Sequence, residues 1–362
     1  MSGIMITPNS FMNPTYGTEE IKSVTDYINS GGWIMEHAKT REMEQMICDY
    51  TGAKYAHMVP SATAALVIAA MLADIKPGER FAASAYTQAA TVNGAILMNG
   101  VPHFVDIDDA GTINFDDIPF DCRVVFVTPI NGRYPSDIKN KIQQLKDRGC
   151  FVIEDSAQSL GSFVSGEHNG TFGDVGIFSF GAPKIITTGQ GGCIFTNSKE
   201  LSEKIHAIKN FGRTVGVGEV YNIMGLNFKF TDLQASFGVE QMRKLPDYVK
   251  HKRDIFRWYQ EELFDVCDFI PTSNETTVTY PDIFLKSKEE RDGLCEFLKQ
   301  NNIASRAVYD SLARQPFHKK WYQYCPVTER FGDTGLQLPG QVSLNRHDIK
   351  LVADLVKTFL SA

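Results

Sequence analysis

FVIEDSAQSLGSFVSGEHNGTFGDVGIFSFGAPKIITTGQGGCIFT, residues 151–196, contains three short apolar runs, and the residues that follow each run point to a chemistry. Phe151-Val152-Ile153 ends in Glu154 and Asp155, so a buried strand is expected to deliver a carboxylate to the edge of a sheet. Gly176-Ile177-Phe178-Ser179-Phe180 ends in a tight Gly181-Ala182-Pro183 turn that presents Lys184. The stretch closes with Thr187-Thr188-Gly189-Gln190-Gly191-Gly192 and a β-rich run, Cys193 to Thr196. One acid and one lysine are thus expected at neighbouring strand ends.

A lysine that forms a Schiff base with pyridoxal phosphate needs a carboxylate to keep the pyridinium nitrogen protonated, because the protonated ring is the electron sink. Asp155 is the candidate carboxylate and Lys184 the candidate imine lysine. Ser179, five residues earlier, is a candidate hydroxyl for the phosphate. Gln158, three residues after the acid, reaches the ring's phenolic oxygen if the chain turns into a helix there. Taken singly, each is ordinary: Asp155 as a turn residue, Ser179 as a strand-end hydroxyl, Lys184 as a solvated surface lysine. Their order on consecutive strand ends is less ordinary.

Glu154-Asp155-Ser156-Ala157-Gln158, Gly173-Asp174, Phe178-Ser179-Phe180, Lys184 and the Thr187 to Gly192 run together resemble the signature of the nucleotide-sugar aminotransferases. That family belongs to the fold-type-I PLP enzymes and includes perosamine and viosamine synthases. The resemblance extends over most of the chain. With the βα rhythm of the sequence it implies an α/β fold: a large PLP-binding domain over residues 1–245, with a mostly parallel mixed sheet flanked by helices, and a smaller α+β domain over 246–362.

Composition agrees with a globular protein. The 362 residues suffice for a large core and a second domain. Hydrophobic residues at 43% and charged residues at 22% exclude a disordered or fibrous class. The longest apolar run, Ala62 to Ala73, suits about three turns of core helix rather than a membrane span. The N-terminus lacks the basic head and long apolar region of a secretory signal. A net charge of −7 gives no basic footprint for nucleic acid or an anionic membrane. Seven dispersed cysteines without a CxxC pair read as reduced core thiols of a cytoplasmic protein. Eight histidines without HxxxH or HExxH spacing give no metal site.

Along the chain, residues 17–30 place Ile21, Val24, Tyr27 and Ile28 at helical spacing, with Thr18 as cap and Gly31-Gly32 as stop. The resemblance puts Gly32 and the adjoining Trp33 on the substrate side; a loop aromatic packed on the core is the alternative. A helix over 38–51 and a strand over 55–59 lead to Ser61, a good N-cap that leaves the N–H groups of Ala62 and Thr63 pointing out of the first turn. Such a helix start binds phosphate, and the resemblance assigns that role to Ala62 and Thr63. In the Ser84 to Gly94 block the family carries an aromatic residue after the Thr, stacked on the PLP ring. Gln88 stands there instead, so either its amide lies on the ring or Tyr86 replaces the aromatic.

Further on, Asn227 matches a family asparagine that reaches the neighbouring subunit's PLP phosphate, and Lys229 stands where the family commonly has arginine. A long helix from Leu233 to about Tyr259, broken near Pro246, is expected to bridge to the smaller domain. There Thr277 to Tyr280 and Ile283 to Leu285 read as strands, Glu289 to Asn301 as a helix, and Asp348 to Leu360 as the closing helix. The Ala307 to Pro316 run resembles a block near the bound sugar. Ala313 replaces its usual histidine, leaving Arg306, Tyr309 and Arg314 as substrate-side candidates.

The resemblance implies a homodimeric transaminase that takes the amino group of glutamate and passes it to a nucleotide-linked keto sugar, most simply a 4-keto-6-deoxyhexose. The cofactor alternates between pyridoxal and pyridoxamine 5′-phosphate. The alternatives are amination at C-3, a dehydratase of the same family, which has histidine at the lysine position, and a catalytically silent binding or regulatory homologue. Lys184 argues against the dehydratase, and the intact Lys184, Asp155, Gln158 and Ser179 against the silent homologue.

Overall fold

The computed structural model describes residues 13–214 and 219–362. The chain starts with helices α1 (Thr18–Asn29) and α2 (Ala38–Thr51), then alternates β1 (Tyr55–Val59), α3 (Ala62–Leu72), β2 (Arg80–Ser84), α4 (Ala90–Leu97) and β3 (Val101–Val105). It continues with β4 (Val124–Val127), α5 (Ile138–Asp147), β5 (Phe151–Asp155), a small hairpin of β6 (Phe163–Val164) and β7 (Glu167–His168), β8 (Val175–Ser179), β9 (Gly192–Thr196) and α6 (Lys199–Lys209). Helix α7 (Asp232–Leu263) leads to β10 (Asp282–Phe284), α8 (Lys288–Gln300), β11 (Arg306–Ala307), α9 (Pro326–Thr334), β12 (Gly335–Gln337) and α10 (Arg346–Leu360).

Seven strands form the main sheet in the order β1-β9-β8-β5-β4-β2-β3. β9 runs antiparallel to both of its neighbours, and the other pairs are parallel. Side chains alternate between its faces, as the period of two requires. Ile153 and Ile177 join Leu66, Ile68 and Phe81 under α3 and α4, while Phe178 on the next position joins Met43, Val239 and Met242 under α2 and α7. Both faces are covered, which is why the parallel strands read as apolar runs. β10, β12 and β11 form a separate three-stranded sheet with its own core around Ile255, Leu294, Leu336 and Val352.

Several expectations are corrected. Gly17, not Thr18, caps α1, and its N–H donates to the Glu20 carboxylate at 2.7 Å. Glu20 is the buried residue of that helix, paired with Lys244 and Gln241, while Ile21 and Ile28 are about 60% exposed. α7 runs unbroken through Pro246, because proline removes a single N–H while Leu245 and Val249 on either side are buried in the core. Its first half packs on the large-sheet core and its second half on the small one, with the change between Val249 and Ile255. Thr277 to Tyr280 forms no strand. Its backbone is bonded by side chains of the large domain instead: Ser162 Oγ accepts from Thr277 N at 2.9 Å, and Asn131 Oδ1 from Tyr280 N at 3.0 Å.

No helix among the described residues is long and apolar enough to cross a membrane. The seven cysteines are free thiols, five of them buried. The loop ending at Gly218 lies partly outside the described residues.

Candidate active site

β5, β8 and β9 end or begin at one edge of the sheet, and the site is built there. Asp155 is the last residue of β5 and is buried. Thr91 on α4 donates to its Oδ2 at 2.6 Å, and the Thr87 hydroxyl lies 2.8 Å from that of Thr91. The Ala157 N–H reaches Oδ1 at 3.3 Å. Burial pushes the Asp155 carboxyl up in pKa, while the Thr91 hydrogen bond and the charge of Lys184 pull it down.

Lys184 sits in the turn after β8, closed by its own N–H donating to Gly181 O at 3.1 Å. Burial lowers its amine to about 8; Asp155 opposes that shift and the nearby Arg306 guanidinium adds to it. An amine that titrates so close to neutrality is both an available nucleophile and a usable base.

Ser179 and Gly192 face each other across the β8/β9 pair. Gly192 packs on the start of α3 so closely that a Cβ there would lie 2.4 Å from both Ala62 N and Ser61 C. Only glycine allows that approach, and it brings the helix N-terminus beside the Ser179 hydroxyl. Ser61 caps α3 by accepting from Ala64 N at 3.1 Å, leaving the N–H groups of Ala62 and Thr63 without a hydrogen-bond partner among the described residues. Two free N–H groups, a helix dipole and a hydroxyl make an anion cradle. It lies one to two strand spacings, about 5–10 Å, from Asp155.

The opposite wall comes from loops and the small domain. Gln158 Nε2 donates to Tyr309 Oη at 3.0 Å, and its Oε1 accepts from Asn131 N at 3.3 Å. Asn131, at φ +54°, also donates through Nδ2 to Tyr280 O and to Asp282 Oδ2. Asp282 is fully buried and paired with Arg133 at 2.5 Å. Tyr280 donates from its hydroxyl to Pro183 O, the residue before Lys184, at 3.0 Å. Arg306 gives Nε and Nη2 to Gln337 Oε1 at 3.0 and 2.7 Å, with its guanidinium 5.4 Å from the Tyr280 ring and 5.8 Å from that of Tyr309.

A half-buried lysine whose charge interacts with that of a buried acid, with an anion cradle between strand ends, matches what the whole-chain comparisons find. The model of the DegT/DnrJ/EryC1/StrS aminotransferase family matches residues 14–357. The chain belongs to this family. A GDP-perosamine synthase of Escherichia coli O157:H7 is 28% identical over 359 residues, covering 96% of this chain and 98% of that one. Among solved structures, the Helicobacter pylori aminotransferase PseC, involved in pseudoaminic acid biosynthesis, has a TM-score of 0.90 at 21% identity, covering 97% and 98% of the two chains. The PLP form of the putative sugar aminotransferase Spr1654 from Streptococcus pneumoniae gives the same TM-score at 23% identity, covering 97% and 98%.

The family's aminotransferases depend on pyridoxal 5′-phosphate, and the residues present fit it. The charges of Lys184 and Asp155 interact, and the cradle at Ala62, Thr63 and Ser179 suits a phosphate. When bound, the cofactor supplies the electron sink that makes a proton on an adjacent carbon removable.

The remaining candidates are placed variously. Tyr86 is 1% exposed, edge-to-face with Tyr309 and Phe331, and its hydroxyl has no partner among the described residues. Gln88 is exposed, and its carbonyl oxygen accepts from Ala90 N at the start of α4. Asn227 and Trp33 are both exposed, and Gly32 lies against the Tyr27 ring. Lys229 bonds Asn210 Oδ1 at 3.2 Å and lies over the Phe211 ring. Arg314 is enclosed by Asp310, Asp333 and Glu329, and Ala313 is buried in the large core. Asn227, Trp33 and Arg314 share no hydrogen bond or ion pair with Lys184 or Asp155 among the described contacts.

Sequence reasoning missed Thr91, Asn131, Tyr280, Asp282 and Gln337. Thr91 carried a signal, since it lies one helical turn after Thr87 in a block already assigned to the site. Asn131, Tyr280 and Asp282 act between segments about 150 positions apart, and Gln337 reaches Arg306 from the neighbouring strand of the small sheet; local spacing gives no sign of them.

Proposed function

We propose that this aminotransferase transfers the amino group of glutamate to a nucleotide-linked 4-keto-6-deoxyhexose, giving a 4-amino-4,6-dideoxy sugar nucleotide. The observation that carries the reading is Lys184 held in the field of Asp155 at the strand edge, with the amine lowered to about 8. Likeness over nearly the full length to a chain named GDP-perosamine synthase supports the sugar and the position. Lys184 Nζ takes the proton from the donor's α-carbon and returns it at the carbon that held the aldehyde, acting as base and then acid. Asp155 keeps the ring nitrogen protonated throughout. Ala62, Thr63 and Ser179 hold the phosphate, and Gln158 the phenolic oxygen. Gln88 or Tyr86 takes the stacking place on the ring. Gly32, Trp33, Lys229, Arg306, Tyr309 and Arg314 serve the sugar nucleotide.

A homodimer with Asn227 acting in trans is part of the proposal. Its exposure, together with that of Trp33, Tyr221 and Met224, supports that arrangement. The free thiols support a cytoplasmic setting. The test incubates the purified protein with pyridoxal phosphate and glutamate against UDP-, GDP- and dTDP-linked keto sugars and reads the mass change of each sugar. A visible absorbance band that borohydride abolishes, absent in Lys184→Ala, is expected. No band in the wild type, or a band but no aminated sugar, overturns the proposal at its first or second half. Gel filtration that finds only monomer removes the role of Asn227.

A further inference from the structure

We infer, on the reading of Lys184 as the lysine that takes the cofactor and moves the proton, that Tyr280 is its positioning residue: the hydrogen bond from the Tyr280 hydroxyl to Pro183 O fixes the peptide group that carries the lysine. After β8 the chain leaves the ladder, so residues 181–184 lie outside the strand pairs that set Asp155 and Ser179. Pro183 has no N–H, and the planar peptide joining it to Lys184 carries two polar groups, Pro183 O and Lys184 N–H. The N–H donates to Gly181 O at 3.1 Å, inside the turn. The oxygen accepts from Tyr280 Oη at 3.0 Å, and among the described residues Tyr280 is the side chain that bonds this turn from another element. A peptide plane bonded at one end can swivel about that bond; a plane bonded at both ends cannot.

Tyr280 is itself held from several directions. It is 6% exposed, its N–H donates to Asn131 Oδ1 and its carbonyl accepts from Asn131 Nδ2, both at 3.0 Å. The same asparagine donates its N–H to Gln158 Oε1, so the amide proposed for the cofactor's phenolic oxygen and the phenol that sets the lysine share one support. On the preceding residue, Thr279 O accepts from Lys252 on α7, and Thr279 Oγ1 donates to Gln158 O at 2.9 Å. Tyr280 and Lys184 line one narrow cavity together with Lys252 and Gln341. Burial, helped by the neighbouring Tyr309, holds the Tyr280 phenol well above its ordinary pKa, so it stays a donor wherever the enzyme works. A lysine moves its proton from the end of a flexible four-carbon stem, and a misplacement on the order of 1 Å costs about 100-fold.

The test compares wild type with Tyr280→Phe, which keeps the ring and removes the hydroxyl, and with 4-aminophenylalanine placed at position 280, whose N–H restores a donor. In the cofactor-free protein, acetic anhydride labelling of Lys184 against pH, read by peptide mass, gives the titration midpoint of the amine. Burial holds that midpoint at about 8 in wild type, with Asp155 opposing the shift and Arg306 adding to it. A turn released at Pro183 lets the amine reach water, so in Tyr280→Phe the midpoint should rise toward that of an ordinary lysine. With cofactor bound, single turnovers with glutamate should slow by roughly 10- to 100-fold while the half-saturating glutamate stays within about threefold of wild type. The thermal midpoint should fall by no more than a few degrees. Placing 4-aminophenylalanine at 280 should recover most of the lost rate and return the amine's midpoint toward 8. An unmoved amine, an unchanged turnover, losses that 4-aminophenylalanine does not recover, or a Tyr280→Phe protein that fails to fold each overturns the inference and leaves the aminotransferase reading standing. A wild type that forms no absorbance band with the cofactor, or does not react with glutamate, overturns both.

Discussion

Asp155 stands at the end of a five-residue strand paired on both sides, whereas Arg306 stands on a two-residue strand paired on one. On the first wall the backbone ladder of a buried sheet sets each position: Asp155 ends β5, Ser179 ends β8 and Gly192 begins β9, so all three share an edge whatever their side chains are. On the second wall, side chains hold one another. Gln337 holds Arg306, Gln158 holds Tyr309, and Asn131 ties Gln158 to Tyr280 and Asp282. The first wall should lose chemistry without losing structure when a residue is changed, and the second should lose structure first.

The sharpest form of that contrast is Lys184→Ala against Asp282→Ala. Lys184→Ala removes the base from an intact edge, so turnover should fall by about 10⁴-fold, the upper range for a positioned acid–base group, with little change in thermal midpoint. Asp282→Ala leaves the Arg133 guanidinium buried without its partner and should cost about 3–5 kcal/mol of stability in urea unfolding. If Asp282→Ala melts like wild type, the second wall is not held as described. If Lys184→Ala is badly destabilised, the first is not.

How far the sequence could be read follows the same division. Strands covered on both faces are written as apolar runs, so β1, β5, β8 and β9, the acid and the lysine at or just beyond their ends, and the Ser61 cap are all legible. Asn131 meets Tyr280 across 149 positions through an amide on a left-handed residue, and no local pattern encodes that. The Thr277 to Tyr280 run has the composition of a strand, yet its backbone partners are side chains. Ile21 and Ile28 show the limit of periodicity from the other direction: their spacing fits a helix face, but the residue that α1 buries is Glu20, neutralised by Lys244. The Pro246 break failed because packing on both sides outweighs one missing hydrogen bond.

Thr91 tests whether the first wall is purely backbone. Its hydroxyl is the only side chain that donates to Asp155 among the described residues, so Thr91→Val leaves a buried carboxylate oxygen without a donor. A loss of about 1–3 kcal/mol is expected. The Asp155 carboxyl, already raised by burial, should rise further, and the acid limb of the pH–rate profile should move to higher pH. An unmoved limb would mean that the cofactor's ring, and not Thr91, sets the charge of Asp155.

The smallest effect lies where the two walls meet. Lys252, on α7, is buried and donates to Thr279 O at 2.6 Å and Gly340 O at 2.5 Å, joining the segments on either side of the small sheet. Burial, with no acid to offset it, lowers its amine to about 7. Above that pH the folded protein holds this site neutral while the unfolded chain, near 10.5, keeps it protonated. The unfolded state then binds more protons, so stability rises with pH from about 7 upward and is flat below. Relative to Lys252→Met, wild-type holoenzyme should gain about 1 kcal/mol between pH 6.5 and 8, read from urea midpoints. Lys184 is present in both proteins and cancels in the difference. A difference that stays constant with pH would show that Lys252 remains charged in the fold, and that its role at the junction is the two carbonyl bonds alone.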